Sequence, residues 1–299
     1  MGMLGPDQIE SLCEGSRAKL DAMRELIRTQ GSALVAFSAG VDSTFVLQVA
    51  HEVLGDRALA LTALSASMAP EEQKEAQELA ARIGAKWVAV RSDELANPKY
   101  AANPTNRCYF CKTELYDLCE KKRLELGLSA ILDGFNADDF KDHRPGHQAA
   151  KEHKVLSPMA QVGLTKAEIR AWSQKLGLPT WDKPQMACLA SRIPYGTSVT
   201  LERLTQIGSA ESELRRLGLK SFRLRYHGEI ARIEVAAEEY ERFHSAEFRA
   251  EVNRALMARG FKFVALDLEP FRSGRMNEAA GIAKPQPPKD GISLPVVSS

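Results

Sequence analysis

The sequence predicts an α/β fold: a parallel-sheet domain over residues 1–180, a smaller α+β domain over 181–280, and a disordered tail over 281–299. Three observations carry that prediction. Short apolar runs alternate with amphipathic stretches through the first part, the pattern of parallel strands joined by right-handed crossover helices. A run of small residues sits where the first strand passes into a helix. Beyond the middle of the chain the texture changes to two adjacent strand-like runs, a helix and a third run. A length of 299 residues agrees with two domains.

In order along the chain, Ile9, Leu12, Leu20, Met23, Leu26 and Ile27 recur at helical spacing, so residues 7–30 read as one amphipathic helix. Ser32 to Phe37 is apolar and bounded by Gly31 and Ser38, which suits a strand buried on both faces. A helix follows from Phe45. Ala58 to Leu64 is the second strand, and a charged helix runs from Pro70 to Ile83, with Gly84 as its stop. Trp87–Val90 and Ala130–Gly134 are the third and fourth strands. Asp182-Lys183-Pro184 and Pro194-Tyr195-Gly196 punctuate a loop before the helix Leu201 to Leu217. Phe222, Leu224 and Tyr226 alternate with Arg223 and Arg225, giving a strand with one apolar and one basic face. Ile230 to Val235, a helix through Phe243 to Leu256, and Phe261 to Leu268 complete the second unit. The tail is rich in Gly, Lys, Pro and Ser.

Composition narrows the function classes. Forty Lys and Arg face 39 Asp and Glu, a net charge of +1, which argues against bulk nucleic acid as the main partner. Five cysteines are too few and too uneven for a disulfide framework. The first dozen residues lack an apolar leader core, and no apolar run approaches the ~20 residues of a membrane span. The expectation is a cytoplasmic protein without a membrane partner.

Ser38-Ala39-Gly40-Val41-Asp42-Ser43-Thr44 lies between a strand and a helix. Small residues there let successive backbone N–H groups close on an anion at a helix N-terminus. Ser38, Ser43 and Thr44 add donors, and Asp42 suggests a bound Mg²⁺ or a helix cap. Neither a Gly-Lys-Ser/Thr run nor a G-x-G-x-x-G is present. The segment resembles the PP-loop, Ser-Gly-Gly-x-Asp-Ser, of the N-type ATP pyrophosphatases, whose Rossmann-like (HUP-type) domain cleaves ATP between the α and β phosphates. Ala39 departs from that pattern, and its methyl makes positive φ costly. The loop is therefore expected to hold Ala39 in an allowed conformation.

Cys108-Tyr109-Phe110-Cys111 is a C-x-x-C with three readings: half a zinc site, a redox pair, or part of an iron–sulfur site. It is read as lying in a loop past Pro104. No second ligand pair at zinc spacing is present, and Cys188 is the remaining candidate partner. Arg107, Lys112 and Arg192 are expected to lower the thiol pKa values. Cys13 and Cys119 lie within apolar helical patterns and read as small core residues. Asp138, Asp139 and Glu211 could hold a metal or simply be solvated.

Taken together, these segments resemble the LarE family of ATP-dependent sulfur transferases. The resemblance covers nearly the whole chain before the tail: the loop at 38–43, Asn106 to Lys112, Asp133 to Asp139 with Arg144-Pro145-Gly146, Cys188 to Gly196, and Arg223 to Gly228. It implies that ATP adenylates a carboxylate of pyridinium-3,5-biscarboxylate mononucleotide, that sulfur converts it to a thiocarboxylate, and that the product leads to the nickel-pincer nucleotide of lactate racemase. It implies ATP and Mg²⁺, and a homo-oligomer. The sulfur source would be either Cys188, sacrificed to dehydroalanine, or a [4Fe–4S] cluster on Cys108, Cys111 and Cys188, and the presence of all three favours the cluster. Arg192, Arg223 and Arg225 would bind the nucleotide phosphate. Spacing alone would make the alternating arginines a solvated strand face.

Three other readings compete. A tRNA thiolation enzyme would share the loop and the cysteines, and would bind bulk tRNA. An amidotransferase-type ligase would form AMP with ammonia and leave the C-x-x-C idle. A nucleotide sensor would bind ATP without releasing pyrophosphate.

Overall fold

The computed structural model describes residues 5–68, 70–141, 145–183, 187–272 and 274–282; the tail from residue 283, Arg144 and Pro184 lie outside them. The N-terminal stretch forms two helices, α1 (Pro6–Gly15) and α2 (Arg17–Thr29), rather than one. Ser16 makes the break. Its hydroxyl donates to the Leu12 carbonyl (2.6 Å) and accepts from the Trp172 indole N–H (2.8 Å), a side-chain bond that competes with the helix ladder.

The first sheet is built from β1 (Ala33–Ala36), β2 (Ala58–Leu64), β3 (Lys86–Arg91) and β4 (Ala130–Leu132), all parallel, in the order β3-β2-β1-β4. Between and after these strands run α3 (Val41–Leu54), α4 (Pro70–Ile83), α5 (Pro98–Ala101), α6 (Arg107–Glu125), α7 (Gly146–Glu152), α8 (Pro158–Gln161) and α9 (Lys166–Lys175). Every residue of β1 is buried, so its apolar run is continuous rather than alternating. Phe45, Val46 and Val49 of α3 pack with Leu20, Met23 and Ile27 of α2 on one side of the sheet. Tyr116 and Cys119 of α6 cover the other. Helix α9 opens on a capping box: the Thr165 hydroxyl accepts from the Glu168 N–H while the Glu168 carboxylate accepts from the Thr165 N–H. Strand order reverses between β1 and β4, and in an open parallel sheet ligands bind beyond the carboxyl ends of the strands at that point.

The second sheet has the order β5-β6-β7, with β5 (Phe222–His227) antiparallel to β6 (Ile230–Val235) and β7 (Phe263–Leu266) parallel to β6. Helices α10 (Leu201–Arg216) and α11 (Ala246–Met257) supply Leu204, Ile207, Leu214, Val252 and Leu256 to a core shared with Leu224 and Ile233. Tyr100 belongs to this core, and Phe110 and Cys111 pack against it, so the C-x-x-C stands where the two cores meet. A short helix, α12 (Arg275–Ala279), follows β7. Among the described residues no helix is long and apolar enough to cross a membrane.

Candidate active site

A cleft of about 430 Å³ opens over the carboxyl end of the parallel sheet. The loop after β1 forms one wall. Ser38, Gly40, Val41, Asp42 and Ser43 line the cleft, whereas Ala39 and Thr44 are buried away from it. Thr44 was expected to face phosphate; it is fully buried and its hydroxyl has no partner. Gly40 caps α3 without any side-chain bond, so the first-turn amides are left without a side-chain acceptor. Ser38 and Ser43 hold each other through their hydroxyls at 3.2 Å.

Ala39 corrects the sequence expectation. It sits at φ 54, in the left-handed region, where an alanine costs about 1–2 kcal/mol. Burial of its methyl and a hydrogen bond from Lys183 to its carbonyl (3.1 Å) hold it there. Gly134 meets the loop from β4. A Cβ on it would lie 3.0 Å from the Ser43 nitrogen and 3.2 Å from the Asp42 Cβ, so glycine lets the end of β4 approach the first turn of α3 this closely.

Asp42 is bonded to Lys166 and accepts from Asn136 Nδ2 at 3.4 Å. Lys112, Lys166 and Lys183 all line the cleft, a set of cations suited to a polyphosphate; the sequence marked Lys112 only as a neighbour of the thiols and gave the other two no site role. The signal available for Lys166 was the Thr165-x-x-Glu168 capping box, which places it at a helix start. Asp139 also lines the cleft, and its carboxylate accepts from the Asn136 N–H (3.0 Å). Asp138 accepts from the Lys166 N–H (2.8 Å).

The other wall carries sulfur. Cys111 and Cys188 line the same cleft as the phosphate loop. Cys108 interacts electrostatically with Cys188 as Cys111 does. The C-x-x-C lies in the first turns of the 19-residue helix α6, not in a loop. Cys108 and Cys188 have exposed surface, Cys111 is half-buried, and Cys13 and Cys119 are buried as expected. The expected lowering of the thiol pKa values is reversed at two of the three positions. Although Cys108 keeps exposed surface, the protein atoms crowded around its sulfur push it up, with Cys188 adding to the effect. Burial pushes Cys111 well above the usual thiol range, reinforced by the Glu94 carboxylate beside it. Glu94 is itself buried, accepting from Ser67 (2.5 Å) and Tyr100 (3.0 Å). Lys112, which would favour thiolate, stands over the Tyr116 and Phe135 rings at about 5.5 Å.

Buried thiols make stability pH-dependent. Cys119 is pushed up to about 12 by burial, from an ordinary 9.0. The folded chain therefore keeps protons that the unfolded chain releases as pH climbs from about 9 towards 12, so stability falls in that window and is unaffected below it. The urea midpoint should drop between about pH 8 and pH 10.5, and Cys119→Ala should flatten the drop; an unchanged slope in the variant would refute this assignment.

The arginines are not a solvated face. Arg192, expected to meet phosphate, is 2% exposed and forms a two-point pair with Glu211 (2.7 and 3.0 Å), while Nη1 donates to the carbonyls of Ala187 and Cys188. Its donors are spent on the fold, because a charge that deep must be paired. Arg225 is likewise buried, bonded to Glu234 (2.8 Å), the Ser191 carbonyl (3.0 Å) and the Met276 sulfur (3.1 Å). Arg223 is half-buried with its guanidinium over the Phe271 ring (4.7 Å). Burial, with Arg192 and Arg225 nearby, pushes it down to about 10. Glu211, read as a possible metal ligand, is buried and committed to Arg192 and Arg215.

The donor chemistry fits an iron–sulfur cluster in part. Cys111 and Cys188 line one cleft and Cys108 is close enough to Cys188 to feel its charge, yet among the described residues no three His, Cys, Asp or Glu side chains converge on a single ion position. A cluster differs from an ion in holding its cysteines apart by its own width.

A parallel sheet with a small-residue loop at its switch point defines an α/β protein of the Rossmann-like class, an architecture consistent with a PP-loop domain. Comparison with known proteins takes this further. An uncharacterized protein of Synechocystis is 46% identical over 260 residues, covering 87% of this chain and 97% of its own. The pyridinium-3,5-bisthiocarboxylic acid mononucleotide synthase of Lactiplantibacillus plantarum is 38% identical over 245 residues, covering 82% of this chain and 88% of its own. An uncharacterized protein of Methanocaldococcus jannaschii is 27% identical over 191 residues, 64% of this chain and 74% of its own. No protein-family model matches. At that identity and coverage the chain belongs to the LarE family, that of the Lactiplantibacillus synthase.

Proposed function

We propose that the protein is an ATP-dependent sulfur transferase that converts carboxylates of a pyridinium mononucleotide to thiocarboxylates. The observation that carries this is the single cleft lined by both the phosphate loop and two of the three cysteines. A carboxylate is a poor electrophile until one oxygen becomes a good leaving group. Its oxygen attacks the α-phosphorus of ATP and pyrophosphate departs, leaving an acyl adenylate. A sulfur nucleophile then attacks the carbonyl carbon and AMP departs. The first-turn amides of α3, with Lys112, Lys166 and Lys183, stabilise the negative charge that builds on pyrophosphate. Asp42, with Asp139 across the cleft, is the candidate holder of Mg²⁺.

The acyl adenylate would form in the same cavity as the Cys188 sulfur, so transfer needs no diffusing carrier. Cys108, Cys111 and Cys188 are the residues that would hold a [4Fe–4S] cluster, which supplies an exchangeable sulfide when bound. The exposure of Cys188 at the cleft supports a second source: its own sulfur. In that case the thiolate forms a thioester, and loss of the Cα proton with cleavage of Cβ–Sγ leaves sulfur on the product and dehydroalanine in the chain.

Among the phosphate candidates, Arg223 suits the nucleotide phosphate best, with Arg192 and Arg225 contributing field from behind. The same pairing weakens the tRNA reading. Arg215, Arg216, Arg225 and Arg232 are tied to Glu211, Glu213, Glu234 and Asp267 rather than presented as a basic patch.

Anaerobic purification followed by iron analysis, an absorption spectrum and a pyrophosphate assay tests the proposal. A brown protein that releases pyrophosphate when given the carboxylate mononucleotide is expected, bleached by replacing any one of the three cysteines. A colourless protein that loses the mass of hydrogen sulfide at Cys188 after turnover would establish the sacrificial route. Absence of pyrophosphate release with substrate present would overturn the function.

A further inference from the structure

We infer that Asn103 and Arg107 form a staple that sets the position of Cys188 relative to Cys108 and Cys111, an inference that rests on these three cysteines acting together. Asn103 is fully buried and held at φ 54, a left-handed conformation that asparagine tolerates but rarely adopts without a reason. Its side-chain amide supplies that reason. Nδ2 donates to the carbonyls of Pro194 (2.8 Å) and Thr197 (2.9 Å) and, more weakly, of Ile193 (3.3 Å). Its Oδ1 accepts from Arg107 Nη1, which also donates to the Ala190 carbonyl (2.9 Å). Backbone bonds run the same way, from the Gly196 N–H to the Asn103 carbonyl (2.9 Å) and from the Val199 N–H to the Ala101 carbonyl (2.8 Å).

Apart from the link between Asn103 and Arg107 themselves, these bonds join the segment 101–107 to the segment 190–199. The first runs directly into α6, with Cys108 beside Arg107 and Cys111 one turn on. The second begins two residues after Cys188, in the 3₁₀ turn Leu189–Arg192. Arg107 is 3% exposed and interacts with the sulfurs of both Cys188 and Cys108. An asparagine here does what neither glycine nor alanine could: it accepts the backbone conformation and bridges to both Arg107 and the Cys188 segment. Removing the bridge leaves the two segments joined by shared apolar packing and two backbone bonds, without the side-chain ties that fix one against the other.

Arsenite tests this on the reduced full-length chain without reference to turnover. The three thiols stand near one another rather than on one ion position, so arsenite gathers them as it binds, each S–H proton leaving with one arsenic hydroxyl as water, and no electrons are transferred. The wild-type chain is expected to bind one equivalent and lose three titratable thiols, with Cys13 and Cys119 untouched. Asn103→Gly suits φ 54 and removes only the side-chain bonds; Arg107→Lys keeps the charge and removes the fork. Both should bind arsenite at least about tenfold more weakly, because the third thiol loses effective concentration, while ATP affinity stays within about twofold. Variants that bind arsenite as tightly as wild type would overturn the staple. So would a parallel loss of ATP affinity, which would make the pair general supports of the fold. Failure of the wild-type chain itself to bind arsenite would instead refute the shared action of the three cysteines, and the staple with it.

Discussion

Asp42→Ala should cut pyrophosphate release from ATP by at least about a hundredfold, the scale seen when one preorganised charge-stabilising group is removed. Asp42 lines the cleft on the first turn of α3, between the loop amides and the end of β4. A carboxylate repels a polyphosphate unless a cation stands between them, so its place beside the anion-binding turn makes sense with Mg²⁺ as the bridge. Lys166 is bonded to the same carboxylate. The folded state should be little affected. Both side chains are about a quarter exposed, and such pairs contribute about 1 kcal/mol or less. Pyrophosphate release measured beside a thermal melt separates the two effects. Unchanged release in a folded Asp42→Ala protein would remove the loop from the chemistry, and Asp42→Asn should resemble the alanine variant because the charge, not the shape, holds the cation.

Much of the first unit was legible because a parallel strand buried on both faces has a sequence that little else has. Residues 33–36 and 58–64 could be read directly for that reason, and the loop between β1 and α3 followed from small residues at a strand-to-helix junction. What failed is equally physical. Helix α6 has few buried side chains, only Arg107, Tyr116 and Cys119, so its helical pattern was legible around Cys119 but not at its start, which left the C-x-x-C in an apparent loop. Ser16 looked like any polar residue within a helical pattern, because its bond to Trp172 spans 156 positions. Ala39 reversed its expectation because the cost of positive φ is local, whereas the methyl burial and the Lys183 bond that offset it are tertiary.

The cysteines and arginines show the same limit for charge. Flanking Arg107 and Lys112 suggested acidic thiols, since sequence displays neighbours along the chain. It does not display Glu94, which lies 17 positions before Cys111 and reaches it only in the fold. Arg192 and Arg225 looked available for phosphate because their carboxylate partners, Glu211 and Glu234, sit on a different helix and on the neighbouring strand. Arginine is the residue type for either role, and only burial tells which one is filled.

That distinction can be measured most sharply at Glu211. Its carboxylate is 1% exposed and accepts from Arg192 at 2.7 and 3.0 Å, from Arg215 at 3.1 Å and from the Leu224 N–H at 3.3 Å. Glu211→Ala would leave the Arg192 guanidinium buried with no counter-charge, a situation that costs about 3–5 kcal/mol. The urea midpoint should fall accordingly, and Glu211→Gln should fall less because it keeps hydrogen-bond acceptance without the charge. Replacing both partners, Arg192→Met with Glu211→Leu, removes the buried charges together and should recover most of the stability lost in the single variant. Sulfur transfer should not recover with it. Arg192 also donates to the carbonyls of Ala187 and Cys188, so the double variant would be a stable protein whose Cys188 segment has lost its anchor. A double variant that regains both stability and transfer would show that the pair serves only the fold; one that regains stability alone would show that the buried ion pair is retained for holding Cys188 in the cleft.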